Sequence, residues 1–293
     1  MRFAIAFGLW YTLKSESKRR SEMRKAIRII ITLVFVCTAA FSGWKIFTYY
    51  KGAHDNTSKY DALAKIVESA EEKESIASDK TEGSKEIEES SAVSETDENA
   101  IIPELSELYS QNSDLVAWIN IPDTNINYPV MQTKDDPDYY LHKGFDKEYS
   151  DYGCPYVAET CDVDRPSDNI IVYGHNMIVG VMFAQLEKFE DKDFWSEHKD
   201  FSFYTLHEKR KYEIFAVFKT TVYDENTDEF KYYQFVDSRD KEDFNAYVDK
   251  CKSLALYDTD VEVKYGDKLI TLSTCEYSGD NSRLVVVAKQ IIE

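Results

Sequence analysis

A cysteine and an arginine stand at the two ends of one short loop. Cys275 closes the run KLITLSTC, the seven residues EYSGDNS follow, and Arg283 opens RLVVVAKQI. A thiol attacks carbonyls as its thiolate, and a guanidinium, which keeps its charge at any working pH, favours that anion and can bind the oxyanion that attack creates. Alternation along KLITLSTC puts Ile270, Leu272 and Thr274 on one face and Leu269, Thr271, Ser273 and Cys275 on the other, so Cys275 ends a face that turns polar. A passive structural thiol packs more naturally among aliphatic side chains. If the two runs pair as a hairpin, Cys275 and Arg283 face each other across its mouth.

A thiol nucleophile also needs an acid or base, and the chain has five histidines. His54 lies in a polar stretch, His198 in the charged SEHKD and His207 in the turn-like TLHEKRK, where solvation is the simplest reading of each. His142, in YYLHKGF, is ambiguous. His175 directly follows NIIVYG, a strand-like run whose final Gly174 permits a tight backbone path. His175, Cys275 and Arg283, each at a strand terminus, therefore form the convergent candidate site. A thiol and an imidazole that must both be ionised give a bell-shaped dependence of kcat/KM on pH.

The elements that must position these residues lie beyond residue 100. LVAWINI, INYPVMQ, CPYVAE, NIIVYG, FSFYTL, KYEIFAVFKTTVY, VEVKYG, KLITLSTC and RLVVVAKQI all read as strands by alternation or by β-branched and aromatic content, which suggests a barrel or a sandwich. Helical signals are fewer: PELSELYSQNS, MFAQLEKF after YGHN, and SRDKEDFNAYVDKCKSLAL, where Phe244, Val248 and Cys251 to Leu254 share a face.

Ahead of this body the texture differs. Residues 29–50 are almost wholly apolar and, as a helix of about 1.5 Å per residue, match the hydrocarbon thickness of a bilayer. Lys18, Arg19, Arg20, Arg24, Lys25 and Arg28 precede the stretch and Trp44, Tyr49 and Tyr50 end it, so residues 1–28 are expected as a cytoplasmic basic head and the remainder outside. A cleaved signal peptide is the competing reading, but the run is longer than a usual signal core and TAAFSG is a poor cleavage site. Residues 51–100 carry six Lys against fourteen Asp and Glu and a single aromatic, Tyr60, which predicts an acidic flexible linker with at most a frayed helix near Tyr60 to Lys73. Residues 101–293 are then the catalytic domain.

The formal charge of −19, with most of the basic residues of the first fifty confined to the head, leaves a body that repels phosphate backbones, so nucleic acid is not an expected partner. Five cysteines without a CxxC pair fit neither a zinc cage nor a disulfide framework. Cys154 and Cys161 are read as two free thiols, because an extended PYVAE would hold them too far apart to bridge. The acidic clusters TKDDPDYY and YDENTDE lack EF-hand spacing, and neither a metal nor a cofactor is expected.

TLSTC followed eight residues later by Arg283, with YGHN about a hundred residues upstream, resembles the sortases, and WINIPDTNINYPVMQ, NIIVYGHNM and a helix before the last strand pair resemble class B. The resemblance implies a mainly β fold, a closed sortase-type barrel of about eight strands with flanking helices, behind a single transmembrane helix. By motif it implies Cys275 as nucleophile, His175 as acid/base and Arg283 as oxyanion or substrate-positioning group. Ser273, Thr274 and Asn176 would support the site, the backbone N–H of Glu276 would be a second oxyanion donor, and NYPVMQ with the segment from Phe235 to Tyr257 would wall the groove. The implied reaction cleaves a C-terminal sorting signal of secreted proteins through a thioester and passes the acyl group to an amine of a cell-wall peptide, or to a lysine in a pilus-building relative. A cysteine endopeptidase using water, and a non-catalytic surface-binding barrel, are the alternatives.

Overall fold

The computed structural model describes residues 2–81, 100–224, 226–277, 279 and 281–292. Eight strands close into a barrel: β1 (Leu115–Asn120), β2 (Asn127–Met131), β3 (Tyr156–Val157), β4 (Asn169–Tyr173), β5 (Asp200–Thr205), β6 (Lys209–Thr221), β7 (Leu269–Cys275) and β8 (Ser282–Ile291). Their order around the barrel is β1-β2-β3-β4-β7-β8-β6-β5, and antiparallel pairing of β5 with β1 closes it. Two neighbouring pairs, β2 with β3 and β4 with β7, are parallel.

Period-2 alternation explains the core. Ile170 and Val172 of β4, Ile270 and Leu272 of β7, and Leu284, Val286 and Ala288 of β8 are paired across the ladder on one face, and all are fully buried. The opposite face of β7 carries Thr271 and Ser273 and is buried as well. It is roofed by aromatic side chains: Tyr247 of α4 (Lys241–Leu254) meets the Thr271 hydroxyl at 3.1 Å, and Tyr232 meets that of Ser273 at 2.7 Å. Strands covered on both sides read as near-continuous apolar runs, which is the texture of RLVVVA.

VEVKYG, expected as a ninth strand, joins no ladder. The barrel is closed and β7 already has a neighbour on each side, so no edge is left for it to pair with. It follows the Thr259 anchor on Phe215 O (2.8 Å), accepts Lys252 Nζ at Val261 O (2.6 Å), and turns at Gly266, whose φ of 100° suits glycine. The MFAQLEKF signal forms a 3-10 helix, Phe183–Glu190, and α3 (Lys192–Glu197), which the charged sequence concealed, is capped by the Asp191 side chain and anchored by buried Trp195. α2 (Pro103–Gln111) and α4 form where they were expected.

The N-terminal helix α1 spans Arg2–Thr81. It contains the one stretch among the described residues that is long and apolar enough to cross a membrane, and all side chains described between Ile27 and Tyr50 are exposed. From Asp55 the chain belongs to the barrel's compact unit, so over residues 55–81 an ordered helix stands where a flexible linker with at most a frayed helix was expected. Residues 55–81 are helical, and Asn56, Tyr60, Ala64 and Val67 are buried. Their spacing of four, four and three places them on one helical face, so a stripe too sparse to register in the composition still docks. The Tyr60 hydroxyl donates to Gly153 O (3.0 Å), Lys59 pairs with Asp146 (2.7 Å) and Glu74 with Lys209 (2.6 Å). Residues 82–99 of the expected linker lie outside the described residues.

Candidate active site

Strand register gathers the three candidate residues on one rim of the barrel. β4 and β7 run in parallel with Tyr173 opposite Ser273, so two residues further on His175 and Cys275 stand at the same level. The Gly174 N–H continues the ladder to Ser273 O (3.1 Å), and the Thr274 hydroxyl donates to Gly174 O (2.7 Å), fastening the two strand ends together. β8 then returns antiparallel with Arg283 directly opposite Cys275. The hairpin expected from EYSGDNS is thus present, with thiol and guanidinium across its mouth.

His175 is held from both sides. Its Nε2 lies 2.8 Å from Leu141 O, and because a carbonyl only accepts, this contact keeps the proton on Nε2 in the neutral ring. Nδ1 is therefore the nitrogen left to exchange a proton with a reacting group. The ring packs beside His142, with centroids 5.8 Å apart, so the ambiguous His142 lines the flank of the site. Gly174 is needed for close approach rather than for an unusual φ: a Cβ there would sit 2.6 Å from the Phe183 ring, while the Phe183 N–H binds His175 O (2.9 Å).

Cys275 is half-buried where its strand ends. Its carbonyl accepts from Asn176 Nδ2 (2.9 Å), and the same amide nitrogen donates to Glu187 Oε1 (2.6 Å). The Tyr277 hydroxyl donates to Asn176 O, so the residue after His175 and the residues around Cys275 are stitched together. Arg283 Nη1 donates to Ser282 O (3.0 Å), and the guanidinium reaches the neighbourhood of the buried Tyr232. Burial pushes the Tyr232 phenol up to about 12; Ser273 and Arg283 oppose that rise and Cys275 adds to it. Tyr232 is therefore fastened to Ser273, two residues before Cys275 on β7.

One expected donor is already engaged in this geometry. The Glu276 N–H, anticipated as an oxyanion donor, donates to Ser282 O at 3.0 Å and closes the hairpin instead, because an antiparallel turn satisfies its own backbone first. The Glu276 side chain pairs with Lys219 (3.3 Å), which also holds Glu190 (2.8 Å). The expected walls are only partly at the mouth. The segment from Phe235 roofs the strands below it, with Phe235 and Tyr247 stacked at 4.0 Å, and β2 reaches the site through Tyr128, whose hydroxyl accepts the Met182 N–H (3.2 Å).

Sequence reasoning missed Leu141, Glu187, Tyr232 and Tyr277. Only Tyr277 had a local signal, its place inside the loop between Cys275 and Arg283; the other three arrive from distant segments. Two clefts flank this rim. One of about 440 Å³ lies beside His175 and is lined by Asn176, Met177, Ile178, Glu187 and Tyr277 among others. The other, about 300 Å³, is lined by Lys219, Thr221, Tyr223, Phe230, Lys250 and Ser282. The other cysteines of the barrel unit, Cys154, Cys161 and Cys251, are free and buried, in agreement with the reading of Cys154 and Cys161 as unbridged thiols.

A family model described as "Sortase domain" matches residues 119–291. Sortase B of Listeria monocytogenes is 33% identical over 277 residues, covering 94% of this chain and 99% of that protein. Among solved structures, a Staphylococcus aureus sortase B–substrate complex superimposes with a TM-score of 0.67 at 27% identity, covering 82% of this chain and 97% of the other. A sortase B complexed with triglycine does so with a TM-score of 0.66 at 27% identity, covering 82% and 98%.

Proposed function

This chain belongs to the sortase family, among its class B members, and from that premise we propose how its own residues perform the family's cysteine transpeptidation. Cys275 attacks, as thiolate, the carbonyl at the cleavage point of a C-terminal sorting signal on a secreted protein. His175, protonated at both nitrogens, donates from Nδ1 to the leaving amine, and Arg283 binds the oxyanion. The acyl group rests on Cys275 as a thioester until an amine of a cell-wall peptide takes it. The direct pairing of Cys275 with Arg283, with His175 at the same level of the adjacent strand, is the observation that carries this reading. A relative complexed with triglycine supports a small peptide amine as the acceptor class.

Thr274 and Asn176 act by holding strand ends and the Cys275 carbonyl, and Ser273 by seating the Tyr232 hydroxyl. For the Glu276 N–H to bind the oxyanion, the hairpin mouth must first release Ser282 O. The apolar stretch of α1 serves as a membrane anchor, with the basic residues 18–28 cytoplasmic and the barrel outside, where translocated clients emerge.

The test incubates the full chain in detergent with fluorogenic sorting-signal peptides, with and without triglycine, and with Cys275→Ala as control. Cys275-dependent cleavage accompanied by ligated product is expected. Cleavage yielding only acid at high amine would favour a water-using endopeptidase, and no Cys275-dependent product across the library would sink the reading.

A further inference from the structure

The ring and the backbone of His175 are each supported by contacts that lead back to one side chain of the docked helix. The ring is held by Leu141 O, 2.8 Å from Nε2, and Leu141 lies in the 3-10 turn Tyr139–His142. That turn rests on Gly153: a Cβ there would stand 2.6 Å from Leu141 O and 2.7 Å from Tyr140 O, and the Cys154 N–H donates to Tyr140 O (3.0 Å). Gly153 is fixed in its turn by the Tyr60 hydroxyl, which donates to its carbonyl at 3.0 Å, and neighbouring Lys59 pairs with Asp146 of the same segment (2.7 Å). The Tyr60 ring also meets Tyr128 edge-on at 5.2 Å. The Tyr128 hydroxyl accepts the Met182 N–H (3.2 Å), and the next N–H, that of Phe183, binds His175 O (2.9 Å). Tyr60 is buried, and burial raises its phenol pKa, so the hydroxyl stays a donor at every working pH. A helix that needed only to dock could place an apolar side chain here, as it does at Ala64 and Val67. Its hydroxyl is instead aimed at the segment that carries Leu141.

We propose that Tyr60 is a positioning residue for His175, its hydroxyl holding Gly153 against the Tyr140–Leu141 peptide so that Leu141 O keeps the imidazole turned with Nδ1 toward the reacting groups. The inference rests on the transpeptidase reading above, in which His175 gives its proton from Nδ1, and adds to it a residue from ahead of the barrel. Tyr60 touches no reacting atom; it acts through Gly153 and Leu141. Orientation matters because proton transfer needs the donor within hydrogen-bond reach, and a misplacement of about 1 Å costs up to about a hundredfold in rate. The helix that follows the apolar stretch is then part of the support of the acid as well as a connection to the N-terminus.

Tyr60→Phe tests this, because it removes the hydroxyl and keeps the ring on Tyr128. Val67→Ala, about two turns further along the same buried face, is the comparison: it weakens docking and leaves the Gly153 contact in place. Both variants of the full chain in detergent should melt about 2–5 °C lower. With a sorting-signal peptide that the natural chain cleaves, Tyr60→Phe should lower kcat about three- to tenfold with KM within about twofold, while Val67→Ala should change neither by more than about twofold. In protein isotope-labelled at histidine, the His175 Nε2 proton is assigned by its loss in His175→Gln. Its exchange with water should quicken at least about fivefold in Tyr60→Phe and less than about twofold in Val67→Ala. Equal effects of the two variants, or an unchanged kcat or exchange rate in Tyr60→Phe, would overturn the positioning role and leave the transpeptidase standing. Absence of any Cys275-dependent product in the natural chain would overturn that reading and the positioning role with it.

Discussion

The rim of the barrel and the wall beneath it use the same residue types to opposite ends. At the rim, Cys275 and His175 sit where strands β4 and β7 stop, half-buried, with open clefts beside them. In the wall, Cys154, Cys161 and Cys251 are buried, and burial pushes the Cys154 thiol up to about 12 and the Cys161 thiol up to about 11, while raising Cys251 as well. Ser273 and Thr271, one and two pleats lower on the face that ends in Cys275, are saturated by tyrosine hydroxyls. A ladder that ends frees its last side chain, and one that continues packs it. Chemistry should therefore be lost at the rim without stability, and stability in the wall without chemistry.

The largest test of that contrast is Cys275→Ser. It should lower kcat/KM by more than about a thousandfold, because an alcohol lacks the thiol's acidity, while shifting Tm by less than about 2 °C. Cys251→Ser should do the reverse, costing about 1–3 kcal/mol for a hydroxyl in an apolar site while activity per folded molecule stays within about twofold. Arg283→Lys keeps the charge and loses the planar fork; a drop of about 10- to 100-fold in kcat/KM with Tm unchanged would place Arg283 with the rim.

Thiol labelling separates the two regions directly. In a Cys37→Ala background, a water-soluble maleimide should modify Cys275 in the folded protein at least about a hundredfold faster than the three buried thiols, all four reacting once the chain is denatured. Ser273→Ala probes the border, since it strands the Tyr232 hydroxyl and should cost about 1–2 kcal/mol in denaturant titration together with some turnover.

The smallest effect concerns a histidine away from the rim. The His198 ring lies within hydrogen-bond reach of Phe194 O (2.8 Å) and the Asp123 carboxylate (2.9 Å), which together raise its pKa. A raised folded pKa adds stability that is full below the unfolded value, about 6.5, and fades as pH climbs through the folded one. Asp123→Asn should therefore lower Tm by about 1–3 °C near pH 5.5 and by less near pH 8.

Much of this was legible because it is local. Alternation or β-branched and aromatic content identified all eight barrel strands, and the loop length between Cys275 and Arg283 predicted their pairing, since side-chain direction and hairpin closure depend on neighbouring residues alone. VEVKYG shows where the reasoning stops: its alternation is that of a strand, but whether a strand has a partner depends on which edges the rest of the sheet leaves open. The stretch 55–74 fails in the other direction. Its acidity reads as a spacer, and four side chains at helical spacing are enough to dock it once Tyr128 and Gly153 are in place.

By itself, then, the sequence determined the candidate nucleophile, its guanidinium partner, the strand that delivers His175 and the apolar stretch at the N-terminus, because each follows from residue type and short-range period. Tertiary structure decided the Leu141 carbonyl that sets the His175 proton, the Asn176 bridge from Glu187 to Cys275, the Tyr232 hydroxyl on Ser273 and the engagement of the Glu276 N–H. Each of these is a contact made or withheld by the way segments meet in three dimensions, and that meeting is governed by register and burial across the closed barrel, which short-range pattern does not encode.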